Sequence, residues 1–451
     1  MMTSKETEEL VKWDREHLVH GMYPIGQNAG FLADKGEGIV IQDVEGNKYI
    51  DTSSQLMCLN LGYGRKEITE AMKEQIDRNP YFHQFFGFSN PTTIRCAQNL
   101  AKLTPKGLDR FIFTSGGSES NDTAFRYARL YWNNKGTSKY KIISLYDSYH
   151  GVTFGALSAT GLSKGMLWKG VNPLVPGFLH IPSYNCYHCA FGKEYPGCDM
   201  QCAKFLAYTI EREGPETVAA FIAEPVQGTG GIIVPPPEYW PMVRKICTDY
   251  DVLLIVDEVM TGFCRTGKMF AVEHWGVKPD IMTMAKGLTG AYFPLGAVAF
   301  TGKIFEALKD SIVSTYTYSG QPVGAAAAIK AMEIYINEKV AENAARVGKH
   351  ALDRLNSEFQ SLPVVGYIAG LGLFMSIEIV ADKASKKPFD PAIDITGKIY
   401  KQALERGIMT RWIPAAVAAG DRWHFAPPLV ITIEEIDKVL DVLYSILSKL
   451  G

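Results

Sequence analysis

The sequence predicts an α/β fold, with a large unit around a mostly parallel sheet and a smaller α+β unit assembled from both chain ends. Three observations predict it. Short β-rich apolar runs alternate with stretches long enough to be crossover helices. Those runs are apolar on both faces, as strands of a covered parallel sheet must be. The patterning at the two ends differs from that of the middle. Length and composition agree: 451 residues, 47% hydrophobic and 21% charged, suit two or three packed units rather than a disordered, collagen-like or disulfide-stapled chain.

The first twenty residues mix Lys5, Glu6, Glu8, Glu9, Lys12, Asp14 and Arg15, which leaves no apolar core for a signal peptide. Residues 38–50 predict a hairpin turning at Glu45-Gly46-Asn47. Strands are expected at 111–114, 141–145, 221–224, 252–257 and 281–284, with helices at 119–132, 204–213 and 239–250. An alanine-rich helix opens after Gln321. Boundaries near 60 and 325 divide the chain into 1–60, 61–325 and 326–451, the first and last forming the small unit. No apolar run is long and charge-free enough to span a bilayer. Lys plus Arg number 46 against 48 Asp plus Glu, so no net charge draws the chain to nucleic acid or anionic membrane. The expectation is a cytoplasmic protein acting on small molecules.

Open parallel sheets bind ligands beyond the carboxyl ends of their strands, so the chemistry is expected directly after the β runs. Thr114-Ser-Gly-Gly-Ser-Glu-Ser-Asn-Asp122 follows the first of them. There Ser115, Gly116, Gly117 and Ser118 form a glycine turn into a helix whose free N–H groups suit a phosphate. Taken alone, a plain strand-to-helix turn with Ser118 as N-cap explains the same residues. Asp257 ends the apolar run 252–257, an expensive place for a carboxylate without a positive partner. Lys286 follows the next run 29 positions later, a strand-helix-strand spacing that can bring acid and amine to one rim. A structural ion pair is the alternative. Phosphate cradle, buried acid and poised lysine together suit pyridoxal 5'-phosphate. The lysine supplies a Schiff base, and the acid keeps the ring nitrogen protonated so that the ring can absorb a carbanion's electrons. Tyr149, in Ser148-Tyr-His-Gly151, is either an aromatic face for that ring or a core tyrosine.

Leu254-Ile-Val-Asp-Glu-Val-Met-Thr-Gly-Phe-Cys-Arg-Thr-Gly267, continued by Lys278-Pro-Asp-Ile-Met-Thr-Met-Ala-Lys-Gly287, resembles the signature of class III aminotransferases. These are the ω-aminotransferase group of fold type I pyridoxal-phosphate enzymes. The likeness runs from Asn60-Leu-Gly-Tyr-Gly64 to Ala426-Pro-Pro-Leu429. It implies a seven-stranded type of sheet and a role for each matching position. Lys286 is similar to the Schiff-base lysine and proton shuttle, Asp257 to the pyridinium partner, and Ser115, Gly116, Gly117 and Ser118 to the phosphate cradle. Tyr149 resembles the stacking aromatic, with His150 beside it at the cofactor, and Val259 the apolar residue on the opposite ring face. Glu224, in Ala223-Glu-Pro-Val-Gln-Gly228, matches a second carboxylate behind the cofactor. Thr317, in Tyr316-Thr-Tyr-Ser-Gly320, is similar to a threonine that reaches a phosphate across a dimer interface, which implies a homodimer or a dimer of dimers. No catalytic metal is implied.

Departures from the family pattern narrow the substrate. Ornithine, acetylornithine and γ-aminobutyrate enzymes carry a carboxylate-binding arginine where this chain has His424, and many have a glutamate near the position of Thr229. Arg411 stands where some ω-amino acid and amine aminotransferases carry a mobile arginine for the acceptor's carboxylate, and a guanidinium suits carboxylate or sulfonate. Met57 occupies a position often tryptophan in enzymes favouring aromatic amines; Arg411, Met57 and Tyr23 are expected at the substrate. The resemblance therefore implies ping-pong transfer of the terminal amine of a short ω-amino acid, such as taurine or β-alanine, to pyruvate or 2-oxoglutarate. Other outcomes on the same fold stay open, namely aminomutase, decarboxylase, racemase or amine and diamine transaminase, because the bond aligned with the ring decides the reaction. A dinucleotide-dependent oxidoreductase is disfavoured, since Gly116-Gly117-Ser118 lacks the three-glycine spacing. Cys186, Cys189, Cys198 and Cys202 have a spacing compatible with four-thiolate zinc, but reduced thiols packing a surface insertion are the preferred reading.

Overall fold

In the computed structural model, which describes residues 2–162, 170–413 and 420–450, seven strands form the central sheet. Their order is Leu108–Thr114, Gly296–Thr301, Ile281–Met284, Leu253–Asp257, Val218–Ala223, Lys141–Leu145 and Phe178–Ile181. The last five pair in parallel. Gly296–Thr301 runs antiparallel to both neighbours, so the sheet is mixed at one strand. Val218–Ala223 and Leu253–Asp257 are buried at every residue. Their alternation explains this: Phe221, Ala223, Leu254 and Val256 pack among Leu206, Ile210 and Trp240 on one face. Ala220, Ile222, Leu253 and Ile255 pack among Phe125, Ala128 and Trp132 on the other. Helices Gln201–Glu213 and Tyr239–Asp249 thus cover one side and Gly117–Asn134 the opposite one.

Gly117–Asn134 does not use Ser118 as its N-cap. Gly116 takes that place in extended backbone, with no side-chain cap, and the Ser118 hydroxyl instead accepts from the Val152 N–H at 3.2 Å. The helix start therefore keeps unsatisfied donors at the strand ends.

Both chain ends build the smaller unit. Val40–Asp43 and Lys48–Asp51 form the expected hairpin, its turn held by Asp43 Oδ1, which accepts from the Glu45 and Asn47 N–H groups at 3.0 and 2.8 Å. Ile408–Met409 pairs in parallel with Lys48–Asp51 and so sews the two ends together. A second antiparallel sheet takes the order Val365–Gly370, Met375–Ile379, Asp421–Phe425, Arg411–Ile413. The alanine-rich helix, Pro322–Asn337, packs on Lys66–Arg78, Pro91–Leu103 and Val340–Arg354. Among the described residues, no helix is long and apolar enough to cross a membrane.

Candidate active site

Adjacent parallel strands deliver acid and amine to one rim. Asp257 stands opposite Thr283, and Lys286 follows two residues after that strand ends. It opens a short turn, Lys286–Leu288, with φ +43°. This left-handed conformation costs a non-glycine residue about 1–3 kcal/mol and gathers at functional sites.

A cavity of about 160 Å³ lies at this rim. It brings together Gly117, Ser118, Tyr149, His150, Glu224, Asp257, Val259 and Lys286 of the expected residues, and adds Asn121, Gly151 and Met260. A larger groove, about 750 Å³, runs along the outer strand beside Phe88, Phe111 and Phe305 and contains none of these groups. Close approach of three segments shapes the smaller cavity. A Cβ on Gly117 would sit 2.8 Å from Val259 Cγ1, and one on Gly151, at φ +129°, 2.3 Å from Ser118 Oγ.

Asp257 is buried and fully engaged on one oxygen. Its Oδ2 meets His150 Nδ1 at 2.7 Å and accepts from Asn121 Nδ2 at 2.8 Å, while Oδ1 accepts from the Val259 N–H at 3.0 Å. Glu224 accepts from the Gly228 and Tyr149 N–H groups at 2.9 and 3.1 Å. Burial pushes its carboxyl up to about 7; Asp257 adds to the rise, and His150 and the two N–H groups oppose it. Burial brings the Lys286 amine down to about 8, with Arg411 adding and Cys58, Asp257 and Glu224 opposing. Asn121 Oδ1 and His150 Nε2 are buried without a partner among the described residues. An uncapped helix start, an acid with acceptor capacity left, unpartnered polar atoms and a depressed amine suit a phosphate-bearing ring that condenses with lysine.

Within one chain, Ser115, Gly116, Thr317 and Tyr23 stay outside this cavity. The Ser115 N–H is used by Glu119 Oε2 at 2.7 Å, the Thr317 carbonyl accepts from Tyr81 Oη at 2.8 Å, and Tyr23 is exposed. Met57 is buried with Val226, Ile232 and Met260, behind the wall that Met260 lines. Arg411 pairs in register with His424. Burial lowers its guanidinium, among the described residues no carboxylate pairs with it, and its charge reaches both Tyr149 and Lys286. Residues 414–419, which follow its strand, lie outside the described residues. Of the residues not anticipated, Asn121 had a signal: it falls one helical turn after Gly117 and so shares its face. Met260 had none.

Cys186, Cys189, Cys198 and Cys202 line one small cavity away from this rim, and all four are free thiols. Burial pushes Cys186 up to about 11 and Cys202 up to about 12, the neighbouring thiols adding to both. Among the described residues, no group of three or more His, Cys, Asp or Glu side chains is placed to hold a metal ion. The loop is anchored instead by His188 Nε2 against Glu378 Oε1 and by Lys386 Nζ donating to the Tyr187 carbonyl.

The family described as aminotransferase class-III matches residues 23–447. The chain is 36% identical to a diaminobutyrate–2-oxoglutarate transaminase of Halomonas elongata, over 96% of this chain and 94% of that protein. It is also 36% identical to a taurine–pyruvate aminotransferase of Bilophila wadsworthia, over 96% and 95% of the two chains. A solved structure, a thermostable (S)-enantioselective ω-transaminase from Thermomicrobium roseum, superposes with a TM-score of 0.93 at 40% identity, over 100% of this chain and 99% of that one.

Proposed function

This chain belongs to the class-III aminotransferases, and from that membership we propose a pyridoxal 5'-phosphate-dependent, homodimeric ω-amino acid transaminase. Its reaction moves the terminal amine of a short anionic donor, taurine or β-alanine, to pyruvate or 2-oxoglutarate in a ping-pong cycle. The observation that carries the donor class is Arg411, a half-buried guanidinium whose partial desolvation lowers its pKa, with no carboxylate partner among the described residues and a charge felt at Lys286. A partly desolvated cation without a counter-charge is costly, and a substrate anion offsets that cost. The names of two relatives, which join taurine to pyruvate and diaminobutyrate to 2-oxoglutarate, support the same reading.

When bound, pyridoxal 5'-phosphate supplies an aldehyde that condenses with amines and a ring that accepts electrons. The Gly117–Ser118 helix start would hold the phosphate end, Asp257 would accept from the ring N–H, and Tyr149 and Val259 would flank the ring. Lys286 Nζ, brought down to about 8, is partly free base near neutrality and carries a proton from and back to the substrate carbon. Glu224, raised to about 7, is partly protonated there, which spares the cavity two full negative charges. Arg411 binds the distal carboxylate or sulfonate by paired hydrogen bonds and aims the amine at Lys286.

Steady-state assay of taurine, β-alanine, putrescine and 1-phenylethylamine against pyruvate and 2-oxoglutarate tests the reading. The anionic donors should lead in kcat/KM by about tenfold or more, the worth of a desolvated ion contact. A lead for putrescine or 1-phenylethylamine, neither of which carries an anionic tail, would reject the anionic donor and favour an amine transaminase.

A further inference from the structure

Resting on the cofactor reading above, we infer that Asn121 is a positioning residue that locks the Asp257 carboxylate and so selects which of its oxygens meets the cofactor's ring nitrogen. Asn121 lies one turn into Gly117–Asn134 and is 1% exposed. Its Nδ2 donates to Asp257 Oδ2 at 2.8 Å and to the His150 carbonyl at 2.7 Å. Both partners are acceptors, which fixes the amide's orientation.

An ionised carboxylate offers about four acceptor positions, two on each oxygen. Asp257 Oδ2 has both filled, by Asn121 Nδ2 and by His150 Nδ1 at 2.7 Å in the tautomer that carries hydrogen on that nitrogen. On Oδ1 one position is taken by the Val259 N–H at 3.0 Å. The single open position is therefore on Oδ1, and a ring N–H meets the carboxylate there. From the helix start, the Asn121 amide also contacts both the loop carrying Tyr149 and His150 and the strand end carrying Asp257, adding to the direct Ser118–Val152 and His150–Asp257 contacts between those segments. Without its amide, Oδ2 regains a free position, the carboxylate can turn to present either oxygen, and the ring's angle to Lys286 loosens. Asn121 acts through Asp257 and needs no contact with the reacting atoms.

The full-length protein, its Asn121→Ala variant and its Asn121→Asp variant are each titrated with pyridoxal 5'-phosphate, and the visible absorbance of the loaded proteins is followed from mildly acidic to mildly alkaline pH. Asn121→Ala should bind the cofactor about tenfold or more weakly, the effect of losing a hydrogen bond to a charged group, with a visible band whose pH dependence differs from wild type. Asn121→Asp keeps size and shape but sets two carboxylates together. It should bind more weakly still near neutrality and recover on acidification, when one proton returns to the pair and restores the hydrogen bond. Should the alanine variant not fold, the aspartate variant decides. Wild-type binding and titration in both variants overturns the inference, and so does weak binding in both without recovery in acid, which marks a purely structural residue. A wild-type protein that takes up no pyridoxal 5'-phosphate removes the cofactor reading, and this inference with it.

Discussion

Lys286 illustrates how a single group ties reactivity to stability. Its ordinary value is 10.5 and its folded value about 8. Below 8 both folded and unfolded chains hold the proton, and the folded state bears the full cost of burying it. Between 8 and 10.5 the unfolded chain binds more protons, so folded stability rises with pH across that window. Lys286→Met should abolish transamination and stabilise the cofactor-free protein near neutrality by roughly 1–3 kcal/mol. That gain should shrink above pH 8, as denaturant titrations at several pH values will read. Arg411→Ala should raise KM for the anionic donor and the keto acid by about 10- to 100-fold while barely changing that for an uncharged amine, checked by steady-state kinetics. Asp257 and Lys286 were legible in the sequence because a charge ending an apolar strand demands a reason. Asn121 gave only its position one helical turn after Gly117; its role was not legible, because both of its partners come from other segments and an asparagine early in a helix is ordinary.

At the scale of elements, the site depends on the start of Gly117–Asn134 meeting the loop after Lys141–Leu145. Gly151 is where they touch. Gly151→Ala combines a φ of +129° with a Cβ 2.3 Å from Ser118 Oγ, so the loop must move. Cofactor affinity should fall about tenfold or more, measured by titration with pyridoxal 5'-phosphate. Strands 141–145 and 281–284 stand where the apolar pattern put them, and the crossover helices differ only by a few residues at their ends. Gly296–Thr301 escaped notice because glycine and alanine have low strand preference. Phe178–Ile181 is a partly buried edge strand without a long apolar run. Asp421–Phe425 has no apolar run because it carries Asp421, Arg422 and His424, yet all of them are buried. Arg422 Nη2 lies 2.5 Å from Glu378 Oε2 on the neighbouring strand, a pairing that no local pattern announces.

For the molecule as a whole, Arg265 ties the chain ends to the large unit. It donates to Ser54 Oγ and Asn60 Oδ1 from the N-terminal part and to the Leu373 and Pro427 carbonyls from the C-terminal part, at 2.6–3.1 Å. Burial lowers it to about 10. Arg265→Met strands several buried acceptors and should cost at least about 3 kcal/mol, measured by chemical denaturation. Phe86, Phe88, Ile312 and Tyr318 are exposed, and Tyr81, whose hydroxyl donates to the Thr317 carbonyl, packs edge-on to Tyr318 at 5.7 Å. Exposed apolar side chains are what the proposed homodimer would bury. Sedimentation should give twice the 49.9 kDa chain mass, and Phe86→Glu should yield monomer that retains cofactor poorly. The sequence alone determined the parallel strands that carry the site and which residue types wait at their ends, because periodicity and the cost of buried charge are local properties. Only the tertiary structure decided the reversed strand in the sheet, the joining of both termini at Lys48–Asp51, and the oxygen of Asp257 left open. Each of these depends on partners distant in the chain, which meet only once the sheet has formed.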